Sequence, residues 1–170
     1  MNPAYRSSME DVTVVYPNLK DKKDVFFAAL MDGHGGIAFL FYYKNVGCAT
    51  ASFVASRIGD NLYDALQVKE FSTMEDVLRY TFLYTDVECR YQNLMASGCT
   101  CASVTIVYNE QTNERTLYSA NIGDSRVLLY SNGVVTRLSY VYINFLNNLH
   151  RITKLRMLMK SIELSLLEVW

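Results

Sequence analysis

"VFFAALMDGHGG", residues 25–36, is the stretch on which the reading of this chain turns. Val25 to Met31 is continuously apolar, as a strand buried on both faces requires. The run stops at Asp32, and three glycines then surround His34, one of only two histidines in 170 residues. A plain turn would account for Asp-Gly and Gly-Gly. The other reading is a site where a carboxylate, a bare backbone and a titratable ring meet something small and charged. In that case Gly33 lets a backbone carbonyl approach an ion, and Gly35 and Gly36 take positive φ to turn away.

Outward from this stretch, the order of elements is legible. Val12 to Tyr16 is a short β-branched run closed by Pro17-Asn18 and the charged "KDKKD". After Ala51 the period becomes helical, with Val54, Ile58, Leu62 and Leu66 at every fourth position. A second helix is expected from Ser72, where Ser72 and Glu75 have capping-box spacing, to about Leu94, with Met74, Leu78 and Phe82 facing inward. The period then falls to two. Thr100–Tyr108, Thr116–Ala120 and Arg126–Tyr130 read as strands separated by the turns "NEQTNE" and "NIGDS". Two strands, two helices and a meander predict an α+β sandwich rather than alternating βαβ units.

Three short stretches carry the acidic groups: "RSSMED" (residues 6–11), "DGHGG" (32–36) and "NIGDSR" (121–126). If the first two strands pair, Glu10, Asp11 and Asp32 gather at one end of a sheet. Carboxylates so placed repel unless a cation lies among them or one takes up a proton. Hard oxygen donors suit Mg²⁺ or Mn²⁺ rather than zinc. Each stretch alone is weak, since each has an ordinary reading as a turn or a solvated strand end.

Together with "SGCTCASVTIV" (97–107) and "RLS" (137–139), the three stretches closely resemble the metal-dependent protein phosphatases of the PPM, or type 2C, family. The resemblance implies a partial αββα sandwich of two antiparallel sheets flanked by helices, with two Mn²⁺ or Mg²⁺ ions at one end. It implies hydrolysis of phosphoserine and phosphothreonine in proteins by a metal-bridging hydroxide. By the same resemblance Asp32 bridges the metals, Glu10 and the Gly33 carbonyl bind one of them, and Asp11 holds metal-bound water. Arg6 grips the substrate phosphate, His34 protonates the leaving oxygen, and Asp124 belongs to a weaker third metal.

The chain departs from the family pattern in places. No aspartate follows Asp124, so two further metal-ligand aspartates of the family have no counterpart in this sequence. Residues 37–47 look like an insertion beside the acidic loop, and the family's opening strand is absent. A C-terminally truncated or alternatively spliced member is therefore expected: a partial phosphatase domain over 1–139 and a tail outside the family pattern over 140–170. In the tail, Leu155, Leu158, Met159, Ile162, Leu166 and Val169 fall on a helical stripe, beside a basic side of Arg151, Lys154, Arg156 and Lys160. It reads as an amphipathic helix, either packed or poorly ordered, with a membrane-surface or calmodulin-type helix as the alternative.

The totals agree with one globular domain. Net charge is −1, with no basic surplus to suggest nucleic acid. The longest apolar run, residues 37–43, is far short of the roughly 20 residues that span a bilayer. The N-terminal residues lack a secretory layout, so an intracellular protein with four reduced cysteines, and a monomer, are expected. Three functions stay open: an active phosphatase, a catalytically impaired phosphoprotein-binding module, and a fragment without a function of its own.

Overall fold

The computed structural model describes residues 9–35, 46–94, 97–139, 151–157 and 163–167. Strand β1 (Asp11–Tyr16) pairs antiparallel with β2 (Val25–Gly35). The chain then forms α1 (Val46–Ala65) and α2 (Met74–Tyr91) before returning as β3 (Ser97–Cys99) and β4 (Cys101–Asn109). Strands β5 (Glu114–Ile122), β6 (Arg126–Ser131) and β7 (Val134–Arg137) complete the meander. Two more strands, β8 (Arg151–Met157) and β9 (Glu163–Leu167), follow. The main sheet has the order β1-β2-β4-β5-β8, with β3 also on β2, and the second sheet has the order β7-β6-β9.

The fold is α+β, and burial explains its layers. Strand β2 buries Val25, Phe27, Ala29 and Met31 on its helix side, whereas Phe26 and Leu30 on the other face are half-buried. The helix-side core joins Phe27, Ala29 and Met31 of β2 to Ile58 and Leu62 of α1 and Leu78 and Phe82 of α2. The opposite core joins Ala102, Val104 and Leu117 of the main sheet to Val127, Leu129 and Leu138. Residues of β4 and β5 alternate between the two cores, as the period of two demands. Phe27 has no exposed surface, and a fully buried side chain of its class contributes about 1.5–3 kcal/mol.

The local signals act where expected, with small shifts. Helix α2 is capped by Thr73 rather than Ser72: the Thr73 hydroxyl accepts from the Asp76 N–H at 3.1 Å and donates to the Asp76 carboxylate at 2.6 Å. The N-cap is therefore Thr73, one residue later than the sequence suggests. Between β6 and β7, Asn132 and Gly133 both have positive φ, the geometry of a two-residue hairpin turn that matches strand twist. Arg57 of α1 binds Glu88 of α2 through two nitrogens, and Asn61 donates to Glu88 at 2.6 Å and to Thr85 at 2.9 Å. This polar pin fixes the two helices relative to each other.

The helical reading of the tail is corrected over residues 151–157 and 163–167, and the rest of 140–170 lies outside the described residues. The described parts of that segment are strands: β8 pairs with β5 from Arg115↔Met157 to Asn121↔Arg151, and β9 pairs with β6. The helical stripe in the sequence competes with two sheet edges whose backbone groups need partners. A full antiparallel ladder on β5 outweighs the modest preference of an isolated helix of this length. Residues 37–45 of the expected insertion lie outside the described residues, whereas Val46 and Gly47 already belong to α1. No described helix is long and apolar enough to cross a membrane.

Candidate active site

The segment Asp32–Gly35 is strand, not turn. Gly33, His34 and Gly35 continue β2 because β3 supplies each of them with a partner: Gly33↔Cys99, His34↔Gly98 and Gly35↔Ser97. Among described glycines, positive φ occurs at Gly123 and Gly133 and not at Gly33 or Gly35. The expected left-handed Gly35 is thus corrected, and Gly36 lies outside the described residues. At Gly98 the paired strand lies close under the His34 ring. A Cβ on Gly98 would lie 2.7 Å from Cε1 of His34.

Asp11 and Asp32 are direct partners in the β1–β2 ladder. Glu10, opposite Gly33, accepts the Gly33 N–H on its backbone oxygen at 3.1 Å. Pairs alternate along an antiparallel ladder, so Asp11–Asp32 is of the non-hydrogen-bonded kind, whose side chains approach most closely. The backbone of Asp32 is held from the other side. Its carbonyl accepts the Thr100 N–H at 2.8 Å, and its N–H donates to the Thr100 hydroxyl at 3.3 Å. That hydroxyl in turn shares a 2.6 Å hydrogen bond with Ser125. Thr100 thereby ties the "DGHGG" strand to the "NIGDSR" loop.

The loop itself is shaped by Gly123, whose φ is +85°. A Cβ there would meet Cγ2 of Thr100 at 2.7 Å, so the loop closes tightly over Thr100. The Asn121 amide donates to the Gly123 carbonyl at 3.0 Å. The "RLS" stretch buttresses the strand that leaves the loop. The Val127 N–H donates to the Ser139 hydroxyl at 2.8 Å, and the Leu138 N–H donates to the Val127 carbonyl at 2.9 Å. Asp124, just before buried Ser125, is exposed.

The sequence-derived site residues therefore fall into three groups. Glu10, Asp11, Asp32 and Gly33 come together at the end of β1 and β2. Asp124 is brought to the same end by the Thr100–Ser125 link, and His34 is exposed on the strand just beyond Asp32. Arg6 lies outside the described residues. Thr100 and Ser125 are visible in the sequence as parts of motifs, but sequence reasoning assigns them no clamping role. Thr100, between Cys99 and Cys101, and Ser125, two residues after Gly123, are the available signal.

Below the site, a cavity of about 380 Å³ opens between the helices and β3, lined by His34, Phe82, Cys89, Ser97 and Cys99 among others. Ser97 is fixed there by a 2.5 Å hydrogen bond to Thr50 of α1. All four cysteines are free. Burial, with the nearby charges of Asp32 and Asp86, pushes the Cys99 thiol up to about 12. Burial pushes Cys89 to about 11 and Cys101 higher still. These thiols stay protonated at neutral pH and are poor nucleophiles.

Among the described residues no three His, Cys, Asp or Glu side chains gather closely enough to hold a metal. The cross-strand carboxylate pair nevertheless fits a hard divalent cation. Mg²⁺ keeps several waters and is commonly anchored by one or two carboxylates.

The architecture is a two-sheet sandwich with helices on one face and a carboxylate pair at the end of its main sheet. The protein phosphatase 2C family model matches residues 2–160, and the chain belongs to that family. It is 28% identical over 150 residues to protein phosphatase 2C homolog 1 of Saccharomyces cerevisiae, covering 82% of this chain and 50% of that protein. It is 30% identical over 142 residues to homolog 2 of the same yeast, covering 80% of this chain and 27% of that protein. The chain thus spans half or less of the length of these curated relatives. Among solved structures, a C. elegans sex determining protein superposes with a TM-score of 0.61 at 21% identity, covering 79% of this chain and 31% of that one. The serine/threonine phosphatase Stp1 from Staphylococcus aureus gives 0.54 at 19% identity, covering 79% and 48%. These two structures support the fold.

Proposed function

We propose that this chain is a Mn²⁺- or Mg²⁺-dependent protein serine/threonine phosphatase acting on phosphoserine and phosphothreonine in proteins. The observation that carries the reading is the side-by-side placement of Asp11 and Asp32, with Asp32 locked by Thr100. Two carboxylates fixed in this way are costly without a cation and useful with one. Asp32, Glu10 and the Gly33 carbonyl would hold the divalent ions, Asp11 would orient water beside them, and Asp124 would serve a weaker third site. When bound, such ions lower the pKa of water and neutralise charge developing on phosphoryl oxygens.

The chain's own groups have separable tasks. Arg6 would clamp the phosphate through its forked guanidinium. His34, exposed beyond Asp32, would donate a proton to the departing serine or threonine oxygen. The clamp on Asp32 fixes the backbone from which its carboxylate projects. Manganese-dependent release of phosphate from a phosphothreonine peptide tests the reading. Wild type should turn over and Asp32→Ala should not; equal activity in both would remove Asp32 from the site.

The alternative to this reading is a catalytically impaired, phosphoprotein-binding module. In that reading the chain binds phosphoproteins with little turnover. Phosphopeptide binding that needs Mn²⁺, without phosphate release, would select it.

A further inference from the structure

Helix α2 has a second apolar face that stays exposed among the described residues. Leu78 and Phe82 point into the core, whereas Tyr80, Leu83, Tyr84, Val87 and Tyr91 are exposed, Leu83 by 50% and Tyr91 by 80%. Tyr80, Tyr84, Val87 and Tyr91 recur at steps of four, three and four, the seam of a heptad pattern. The seam is preorganised: Tyr80 and Tyr84 stack with ring centroids 5.6 Å apart, and Phe71 packs on Tyr80 at 5.0 Å. Beside it run Asp76, Leu83 and Arg90, each seven residues from the next. This flank is acidic in the first turn, apolar in the middle and basic in the last turn.

Such a flank is complementary to itself when reversed. We propose that the outer face of α2 binds a second copy of this chain, the two helices antiparallel about a two-fold axis near Leu83. The axis sets Leu83 against its own equivalent and Asp76 of each copy against Arg90 of the other, so one contact is made twice, as an isologous interface requires. Opposed helix dipoles add to the attraction. Arg90 is free to exchange partners, because its present pair with Asp86, at 3.2 Å, is mostly solvent-exposed and weak. One helix face per copy lies at the small end of specific interfaces, so association in the micromolar range is expected. The inference does not rest on the phosphatase reading.

Sedimentation velocity of the full chain, over about two decades of concentration around ~10 µM, is the test. Wild type should shift from monomer to dimer. Leu83→Lys, an exposed change that leaves the core intact, should weaken association at least tenfold. Arg90→Asp and Asp76→Arg should each do the same alone, and an equimolar mixture of the two should recover a heterodimer. Because Asp76 also serves the helix cap, circular dichroism of each variant must first match wild type. A wild type that stays monomeric throughout overturns the proposal, and so does self-association indifferent to Leu83→Lys and to the charge reversals.

Discussion

Asp11 and Asp32 stand directly opposite one another between β1 and β2, in the narrow kind of antiparallel pair. Like charges in that position destabilise a sheet by about 0.2–1 kcal/mol. The arrangement stores a small electrostatic cost that a bound cation would reverse.

Asp11→Asn keeps the shape and removes one charge. In chelator its melting temperature should rise by about 1–3 °C, as expected for relief of up to about 1 kcal/mol in a domain of this size. The stabilisation that Mn²⁺ gives wild type should shrink or vanish. Thermal melts with and without Mn²⁺ read both; a variant still stabilised as much as wild type would show the pair does not hold the ion.

Thr100→Val removes the hydroxyl that accepts the Asp32 N–H and bonds Ser125. Leaving those groups unsatisfied should cost about 1–3 kcal/mol, measurable by urea unfolding. Thr100→Ser retains the hydroxyl and should recover most of that loss.

Glycines 98 and 123 should respond differently to alanine. At Gly123 the added Cβ combines positive φ with contact to the body of Thr100, and a loss of about 2–4 kcal/mol is expected. At Gly98 the obstacle is an exposed histidine ring that can swing aside. Gly98→Ala should therefore shift the His34 ring resonances by NMR while changing stability by less than about 1 kcal/mol.

The α1–α2 pin should weaken in acid. Burial pushes the Glu88 carboxyl up, but hydrogen bonds from Arg57 and Asn61 and the charge of Arg57 outweigh it and hold it below its usual value. A depressed carboxyl stabilises above its unfolded pKa, near about 4.3, and that contribution is lost as pH falls through the lower folded value. Glu88→Gln should reduce stability at pH 7 and flatten its pH dependence below about pH 4.5. Parallel pH profiles for both proteins would contradict the assignment.

Alkylation should distinguish folded from unfolded thiols. With Cys99 raised to about 12 and Cys89 to about 11, both should react with iodoacetamide far more slowly at pH 8 in the folded protein than in denaturant. Mass spectrometry of the labelled peptides provides the comparison.

Much of this fold is legible in the sequence because its periods are local and strong. Val25–Met31, the stripe Val54–Ile58–Leu62 and the alternating strands β4 to β6 all lie where their patterns place them. The glycine-rich segment after Asp32 misleads because glycine signals a turn, whereas pairing with Ser97–Cys99, distant in sequence, keeps it extended. Residues 151–157 mislead for the opposite reason: their helical spacing is local, and the edge of β5 that claims them is not. The acidic pair is legible from motif order. The Thr100–Ser125 clamp is not, because a hydroxyl's partner is set by three-dimensional proximity and leaves no period.

The two halves of the site differ in how far the chain must travel to build them. Asp11 meets Asp32 within one hairpin, about twenty residues apart. The Asp32–Thr100 bond joins residues 68 apart, across both helices. Each doubling of a closed loop adds about 0.6 kcal/mol of entropic cost, so the β1–β2 hairpin can close well before β4 arrives. The repelling carboxylates would then meet early in folding and be fixed late. Divalent cations present during refolding should accordingly speed the early phase, and substitutions at Thr100 should act mainly on the unfolding rate.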